Sequence, residues 1–452
     1  MASDTTLVII GGGGDLASRL LLPALGDLIA AQEDRRVRVV GAGQSPWDDA
    51  RWATAVHAAV GRELPADRFQ VGPFVTADAT DRDGMRAIIE AAGAGPVVLY
   101  FAVPPAVTAA ACRALHPEDL PAGCILALEK PFGSDAHSAG ELNAVLRGLV
   151  PEEQIFRVDH FLGRSTVLNV LGVRFANRII EPVWSADNVA AVSIVFDETL
   201  ALEGRAGYYD RAGALEDMIQ SHLLQVLAVV AMEPPATLDE ADFRSATAAA
   251  LRATRVWGDD PVASSRRARY TAGTISGRQV PDYADEKGVD PHRETETLAE
   301  IVCAVDTARW SGVPFTLRSG KALGDAQMRI DLHFRPVRHL PRGFTGDEEG
   351  GLLRFWLGPD RMECVLNVNG EGDPFRLHRA TLAAELGSGA ERSYTEVLGA
   401  ILDGDATLSV RGDAAVECWR IIAPVQEAWR AGAVPLQEYA AGSHGPADWP
   451  EA

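Results

Sequence analysis

Short apolar runs alternate with amphipathic segments over the first part of the chain. The apolar run at residues 7–10 stops at four glycines, and apolar side chains recur at helical spacing from Leu16 onwards. A strand, a tight turn and a helix are therefore predicted at the start of the chain. Further strands are predicted at 37–40, 97–102 and 125–128, with helix-like sequence between them. This alternation is typical of a doubly wound α/β sheet, which we assign to a first domain over residues 1–180.

The pattern changes after about residue 188. Strands are predicted at 189–196, 328–334, 352–357 and 363–368, and helices at 214–231, 295–308 and 394–402. This arrangement favours an α+β domain, in which helices cover one face of a large, mostly antiparallel sheet. We place this second domain at residues 181–452.

Composition narrows the class of protein. A chain of 452 residues with 47% hydrophobic and 23% charged residues is typical of a globular protein with two domains. Its formal charge of −21 comes from 42 basic and 63 acidic side chains, and this charge repels nucleic acid and anionic membranes. A small anionic substrate would therefore need a local basic pocket.

Cysteine usage and the first residues predict a cytoplasmic protein. The five cysteines are an odd number without CxxC spacing, so neither a disulfide framework nor a zinc site is indicated. The chain leads from Met1 into a strand without a basic segment, and no run reaches the roughly 18 apolar residues of a membrane span. We expect reduced thiols, no bound metal, and neither a nucleic-acid nor a membrane partner.

The four glycines after the first strand form a candidate dinucleotide site. Glycines here let the backbone approach a pyrophosphate, and the helix that follows Asp15 supplies N–H donors and the positive end of its dipole. Val103-Pro104-Pro105 and Glu129-Lys130-Pro131 each follow an apolar strand, at the edge where open α/β sheets bind ligands. Taken singly, each feature also fits a turn, a strand end or a solvated charge.

Two other segments carry candidate polar chemistry. Residues 157–164, RVDHFLGR, place two arginines, an aspartate and a histidine within eight positions, which suits a phosphate or polyhydroxyl ligand. His222 lies within an otherwise apolar helix, where a histidine is by default a hydrogen-bonded core residue.

Longer motifs resemble those of the glucose-6-phosphate dehydrogenase family, in family order, from about residue 7 to residue 430. They are GGGGDLASRLLLPAL, YFAVPP, LEKPFG, RVDHFLGRSTVLNVLGVRFANRIIEPVW, EGRAGYYDRAGALEDMIQSHLLQVLAVVAMEPP, WSGVPFTLRSGKAL and DGDATLSVRGDAAVECW. The resemblance implies a Rossmann-like first domain and a second domain whose broad sheet forms a homodimer interface. It also implies NAD(P)-dependent oxidation of a hexose or hexose phosphate at C1 to the lactone.

The resemblance further implies roles for individual residues. His222 corresponds to the catalytic base and Asp159 to the carboxylate that orients it. A neutral imidazole can take the C1 hydroxyl proton as the hydride leaves, and no metal is required. Family positions that contact the sugar are occupied by Lys130, Glu198, Asp217 and Lys321, and those that contact the phosphate by His160 and Arg164. Cofactor positions are occupied by Gly11, Gly14, Asp15, Leu16, Gln44, Val103, Pro104 and Lys130.

Several positions depart from the family pattern. Phe161 replaces a phosphate-binding tyrosine, and other departures are Leu20, Ser221, Ala326 and Gly358. A hydrogen bond to a charged ligand group contributes roughly 1.5 to 3 kcal/mol, so glucose 6-phosphate would bind more weakly unless other groups compensate. Two alternatives stay open: a paralogue that acts on a modified or unphosphorylated sugar, and a non-catalytic subunit that senses sugar phosphate or cofactor.

Gln44 decides the predicted cofactor. It follows the second strand, beside the adenosine ribose in this fold, where the family commonly has arginine. Glutamine can bond a free 2′-hydroxyl but does not neutralise a 2′-phosphate. We therefore expect a preference for NAD over NADP, with Arg51 as the nearest alternative cation.

Overall fold

The structure, a computed structural model, describes residues 5–163, 165–358, 360–370, 372–386 and 393–449. It divides into two compact units whose segments interleave along the chain. The first unit comprises Met1–Gly163, Pro235–Ala248 and Glu391–Trp419, and the second comprises Arg164–Pro234, Ala249–Ala390 and Arg420–Ala452.

The first unit is built on a parallel sheet of six strands among the described residues. The strands are β1 (Thr5–Ile10), β2 (Val37–Gly43), β3 (Phe69–Thr76), β4 (Val97–Phe101), β5 (Ile125–Glu129) and β6 (Ile155–Val158). They lie in the order β3-β2-β1-β4-β5-β6. All six side chains of the central strand β1 are buried, because both faces of such a sheet are covered. The strand order reverses between β1 and β4, which is where folds of this kind bind ligands.

Helices connect these parallel strands. They are α1 (Leu22–Ala31), preceded by a π-helical turn at Ala17–Leu21, α2 (Asp49–Val60), α3 (Arg82–Ala92), α4 (Pro105–Ala114) and α5 (Ala136–Leu149). Three of them begin after an aspartate whose side chain accepts a hydrogen bond from a first-turn amide: Asp48, Asp81 and Asp135. The predicted Rossmann-like α/β unit is confirmed.

The second unit contains a mixed sheet of eleven strands among the described residues. The strands that follow β6 are β7 (Val189–Asp197), β8 (Thr254–Val256), β9 (Ser265–Thr271), β10 (Gly273–Ile275), β11 (Arg278–Val280), β12 (Leu298–Val305), β13 (Phe315–Gly320), β14 (Gln327–Phe334), β15 (Thr345–Gly346), β16 (Leu352–Leu357), β17 (Asp360–Asn369), β18 (Arg376–Glu385) and β19 (Leu436–Ala440). The sheet order is β15-β18-β17-β16-β14-β7-β13-β12-β9-β19, with β8 beside β12, while β10 and β11 form a separate hairpin. Most neighbours are antiparallel, as predicted for this α+β unit.

An apolar helical stretch crosses the core of the second unit. After α6 (Ser165–Phe175) it consists of α7 (Ala206–Ala214), the π-helical segment Leu215–Leu223 and α8 (Leu224–Ala231). By length and composition alone Ala206–Ala231 could span a membrane, but 83% of its most apolar window is buried inside the protein. Burial of that kind is typical of a core helix.

Three later helices complete the fold. They are α9 (Glu240–Arg252), α10 (Ser393–Asp403) and α11 (Gly412–Arg430). Residues of α9 and α11 are shared between the two units, whereas α10 belongs to the first unit, where Val397, Leu398 and Ile401 join its core.

The helix predicted at 295–308 is wrong. Most of this segment is the strand β12, which pairs with β13 on one side and with β9 and β8 on the other. All its side chains except Val302 are buried, so the segment lacks the polar alternation that distinguishes a half-buried strand from a helix. The pairing with distant strands decides its structure.

Candidate active site

The glycine-rich turn after β1 lies at the carboxyl edge of the first sheet. Gly11 has a φ of 91°, which glycine adopts readily, and a side chain there would collide with the Ala102 carbonyl. Gly13 and Gly14 are exposed, directly before the helical residues that start at Asp15. First-turn amides of a helix have no partner within the helix, so this turn fits a pyrophosphate. The predicted cofactor residues at the ends of β1 and β4 are Gly11, Gly14, Asp15, Leu16, Val103 and Pro104.

A half-buried carboxyl group supports the same edge after β5. Glu129 precedes Lys130 and accepts hydrogen bonds from the hydroxyls of Tyr100, at 2.5 Å, and Tyr394, at 3.4 Å. Burial raises the pKa of Glu129 to about 7, while the Tyr100 bond and the Lys130 charge oppose the rise. Glu129 thus fixes two tyrosines beside the lysine that is predicted to serve sugar and cofactor.

The predicted phosphate-binding segment follows β6. Asp159 is 1% exposed, and its carboxylate accepts a hydrogen bond from the Phe161 amide at 2.9 Å. The His160 ring stacks on Tyr394, with 5.5 Å between ring centres and 17° between planes, and meets Phe161 edge-on at 5.1 Å. The orientation of His160 is therefore set by two aromatic rings. Arg164 lies outside the described residues.

Arg157 is not a ligand-binding residue, contrary to the interpretation of both arginines in RVDHFLGR as suited to a phosphate. Its side chain is fully buried, and its guanidinium donates to Glu152 at 2.7 Å, Asn143 at 3.1 Å and the Val410 carbonyl at 3.3 Å. The charge is already paired and is out of reach of solvent. Arg157 stabilises the first unit instead.

Gln44 lies beside an acidic side chain. It directly follows β2 and lies close enough to Asp78 to influence that carboxyl: the pKa of Asp78 is lowered mainly by the side chain and amide of Thr80, and further by Gln44. The neighbouring cation, Arg51, lies 4.3 Å above the centre of the Trp47 ring. The position predicted to contact the ribose is therefore more acidic than the sequence alone indicated.

In the second unit the predicted sugar-binding residues form one cluster. Lys321 Nζ lies 2.7 Å from Glu198 Oε2 and 5.2 Å from the centre of the Tyr209 ring. Lys321 and Glu198 directly follow β13 and β7, which are parallel neighbours, so the two side chains emerge at one edge of the sheet. Burial raises the pKa of Tyr209, and the charge of the Asp217 carboxylate adds to the rise, so Asp217 lies within electrostatic reach of the Tyr209 hydroxyl.

His222 lies on the π-helical segment, five residues after Asp217. Its side chain is 1% exposed. Segments of this rare geometry occur frequently at functional sites, because the wider turn changes which side chains share a face. Ser221, which replaces an asparagine of the family, donates from Oγ to the Glu216 carbonyl at 2.8 Å.

Comparison with known proteins decides the family. The profile described as "Glucose-6-phosphate dehydrogenase, NAD binding domain" matches residues 8–169, and "Glucose-6-phosphate dehydrogenase, C-terminal domain" matches residues 171–451. The chain belongs to the glucose-6-phosphate dehydrogenase family.

Relatives within the glucose-6-phosphate dehydrogenase family match nearly the whole chain. The glucose-6-phosphate 1-dehydrogenases of Gluconobacter oxydans and Treponema pallidum are 37% and 35% identical to it, over 97% of this chain and 94% and 92% of theirs. The crystal structure of the Mycobacterium avium enzyme is 30% identical, covers 99% of this chain and 96% of its own, and has a TM-score of 0.82. A glucose-6-phosphate dehydrogenase solved with its substrate glucose 6-phosphate is 25% identical, with a TM-score of 0.85 and coverage of 99% and 96%. The resemblance seen in the sequence motifs is confirmed, and the chain is an NAD(P)-dependent dehydrogenase.

Three residues of the candidate site were missed in the sequence: Asp78, Tyr209 and Tyr394. Tyr394 contacts Glu129 from 265 positions away, a distance over which a single sequence gives no signal. Tyr209 lies within the GYYD motif, where a tyrosine so close in sequence to Asp217 and His222 could have been singled out.

Proposed function

We propose that the chain oxidises glucose 6-phosphate at C1 to the lactone, with transfer of the hydride to the nicotinamide cofactor. The match to both family domains carries the proposal, and the cluster of Lys321, Glu198, Tyr209 and Asp217 supports it. An ammonium, two carboxylates and a phenol suit the several hydroxyls of a pyranose. The relatives named above favour this substrate over a modified sugar and over a non-catalytic role.

His222 is the proposed base, and Asp159 is the proposed carboxylate that orients it. When the C1–H bond breaks, the C1–O bond gains double-bond character and the hydroxyl proton passes to the imidazole of His222. The bound nicotinamide supplies the hydride acceptor. The resulting imidazolium is stabilised by the Asp159 carboxylate, so the proton leaves at little cost.

His160 and Arg164 are the proposed phosphate ligands, and Lys130, Glu198, Asp217 and Lys321 the proposed sugar ligands. Stacking on Tyr394 orders the His160 ring before a ligand binds, which reduces the entropy lost on binding. Phe161, at 2% exposure, offers no hydroxyl to the phosphate. We therefore expect weaker phosphate binding than in a relative that has tyrosine there.

For the cofactor we propose a preference for NAD over NADP. A 2′-phosphate beside Gln44 would approach the Asp78 carboxylate, whose charge repels it, while the alternative cation, Arg51, lies over Trp47. A free 2′-hydroxyl can instead donate to that carboxylate. Gln44→Arg should shift the ratio of kcat/KM values towards NADP by roughly 1.5 to 3 kcal/mol. Gln70→Arg adds the same charge at an exposed position of β3 and is the control, and a parent enzyme that clearly prefers NADP would contradict the proposal.

The substrate proposal is tested by a panel of sugars. Glucose 6-phosphate, glucose, glucosamine 6-phosphate and other hexose phosphates are assayed with each cofactor by the absorbance of reduced nicotinamide. We expect the highest kcat/KM with glucose 6-phosphate. A higher value with an unphosphorylated or modified sugar would identify a paralogue, and no turnover with any of them would favour the non-catalytic role.

The oligomer that we propose is a homodimer in the cytoplasm. Paired strands β17 and β18 present an apolar face, which we call the β17–β18 stripe. Leu366, Val368 and Leu382 of this stripe are 43%, 41% and 63% exposed. Its members are Met362, Cys364, Leu366, Val368, His378, Ala380, Leu382 and Ala384. A largely apolar face of exposed and half-buried side chains fits a second copy of the chain.

A further inference from the structure

Glu296 lies at the start of the helical segment that carries Asp217 and His222. It precedes β12, and its Oε1 accepts a hydrogen bond from the Leu215 amide at 2.9 Å. Its backbone carbonyl accepts a second bond, from the Ala214 amide at 3.2 Å. One residue outside the helix therefore holds two amides of its first turn, which no helical carbonyl can reach.

The chain is shaped to admit the Glu296 carboxylate. Gly213 has a φ of 62° and a ψ of −178°, which separates α7 from the π-helical segment. A side chain at Gly213 would fall on the Glu296 carboxylate. Glu296 itself is 8% exposed, so its bond to Leu215 faces little competition from water.

The residues on either side of Glu296 extend the connection. Thr295 Oγ1 donates to the Asp210 carbonyl of α7 at 2.7 Å. The Thr297 carbonyl accepts a hydrogen bond from the Lys321 amide at 2.8 Å. Three consecutive residues thus join the helix of the proposed base to the backbone of the proposed sugar-binding lysine.

The charges around Glu296 limit what can replace it. Burial raises its pKa to about 7, while the Leu215 amide and the Arg267 guanidinium oppose the rise. Glu216 faces it from the helix; burial and the Glu296 charge raise the pKa of Glu216 to about 7, and its carboxylate accepts a bond from Gln426 at 2.7 Å. At this buried position the side chain is needed as a hydrogen-bond acceptor for the Leu215 amide more than as a negative charge.

We propose that Glu296 is a positioning residue, which holds the helix of Asp217 and His222 in register with Lys321. The proposal rests on the function proposed above. Loss of the side-chain acceptor leaves the Leu215 amide without its partner and loosens the first turn of the helix, while the Ala214 amide keeps its bond to the backbone carbonyl. A displacement of about 1 Å in catalytic groups can cost on the order of 10²-fold in rate. Glu296 is not a proposed ligand of substrate or cofactor, so its removal should lower kcat more than it changes the KM for the cofactor.

The test compares two variants of similar volume. Glu296→Gln keeps an oxygen for the Leu215 amide and should retain most of kcat, whereas Glu296→Met fills the space without an acceptor and should lower kcat by about 10²-fold. Glu300→Met is the matched control: Glu300 is 5% exposed, lies on β12 four residues after Glu296, and pairs across the sheet with Arg318 and Arg266. We expect it to cost stability but to leave the kcat of the folded enzyme near the parent value.

A readout without turnover separates positioning from general stability. The imidazole resonances of His222, identified by their loss in His222→Asn, should shift in Glu296→Met and stay in place in Glu300→Met. Equal kcat in Glu296→Met and Glu296→Gln, or unshifted resonances in Glu296→Met, would overturn the proposal. If Glu296→Met does not fold, Glu296→Asp takes its place, because its shorter side chain moves the oxygen away from the Leu215 amide. The same fall in kcat and the same shift of the His222 resonances are then expected. A parent enzyme inactive on glucose 6-phosphate would instead refute the proposed function and leave the resonance test valid.

Discussion

His222 is the single side chain on which the proposed chemistry depends most. His222→Asn should lower kcat by at least about 10²-fold, because no other group then takes the C1 hydroxyl proton. Thermal stability and the dissociation constant of the cofactor should stay close to those of the parent, since asparagine is smaller and still offers hydrogen-bonding groups. Steady-state kinetics and calorimetric titration measure these quantities.

A matched histidine controls for the loss of an imidazole. His333 is partly buried on β14, in the same unit, and His333→Asn should leave turnover nearly unchanged. Near-normal turnover in His222→Asn would show that His222 is not the base. A fall in kcat for both variants would mean that the second unit is sensitive to any such change.

Arg157 connects three elements of the first unit, and its replacement tests that role. Arg157→Met should lower the free energy of unfolding by about 1 to 3 kcal/mol, because the Asn143 side chain and the Val410 carbonyl would lose a hydrogen bond, while Glu152 would keep its ion pair with Arg244. Chemical denaturation measures the change. Arg147→Met, at an exposed position of α5, should alter stability by no more than about 0.5 kcal/mol. Comparable losses for both would show that Arg157 is not the connection we describe.

Elements with a strong local signal could be predicted from the sequence. The strand at residues 7–10 and the helix at 394–402 were found because an apolar run and a regular apolar spacing identify them without reference to distant residues. The segment 295–308 could not be predicted, because a strand that is buried on both faces except at Val302 lacks alternation, and its pairing with β13 and β9 depends on the whole sheet.

In the candidate site, too, features set by local sequence could be predicted, whereas those that depend on distant residues could not. The glycine turn can be predicted from the sequence, because glycine readily adopts the positive φ that this turn requires. The stacking of Tyr394 on His160 cannot, because it depends on how segments distant in the sequence pack together. The burial of Arg157 could not be predicted either, because an arginine near a strand end looks like a ligand-binding residue until its partners, Glu152 and Asn143, are known.

For the whole molecule, net charge and apolar surface together constrain association. Each chain carries a formal charge of −21, so two copies repel one another at long range. Contact through the β17–β18 stripe must therefore gain its free energy from apolar burial, at about 25 cal/mol per Å². Salt screens the repulsion, with a Debye length of about 8 Å at physiological ionic strength, and leaves apolar burial intact.

The β17–β18 stripe should hold together a dimer that tightens as salt rises. Light scattering should give a mass of two chains for the parent. The double variant Leu366→Arg with Leu382→Arg should give a mass of one chain, because the cost of desolvating two guanidinium groups against a second copy outweighs the apolar gain. Leu238→Arg, at a position 55% exposed outside the stripe, should remain a dimer. The parent dimer should tighten as salt rises, since its charges repel, whereas an interface held by ion pairs would loosen. A parent that sediments as one chain at every salt concentration, or a double variant that stays dimeric, would show that the stripe is not the interface.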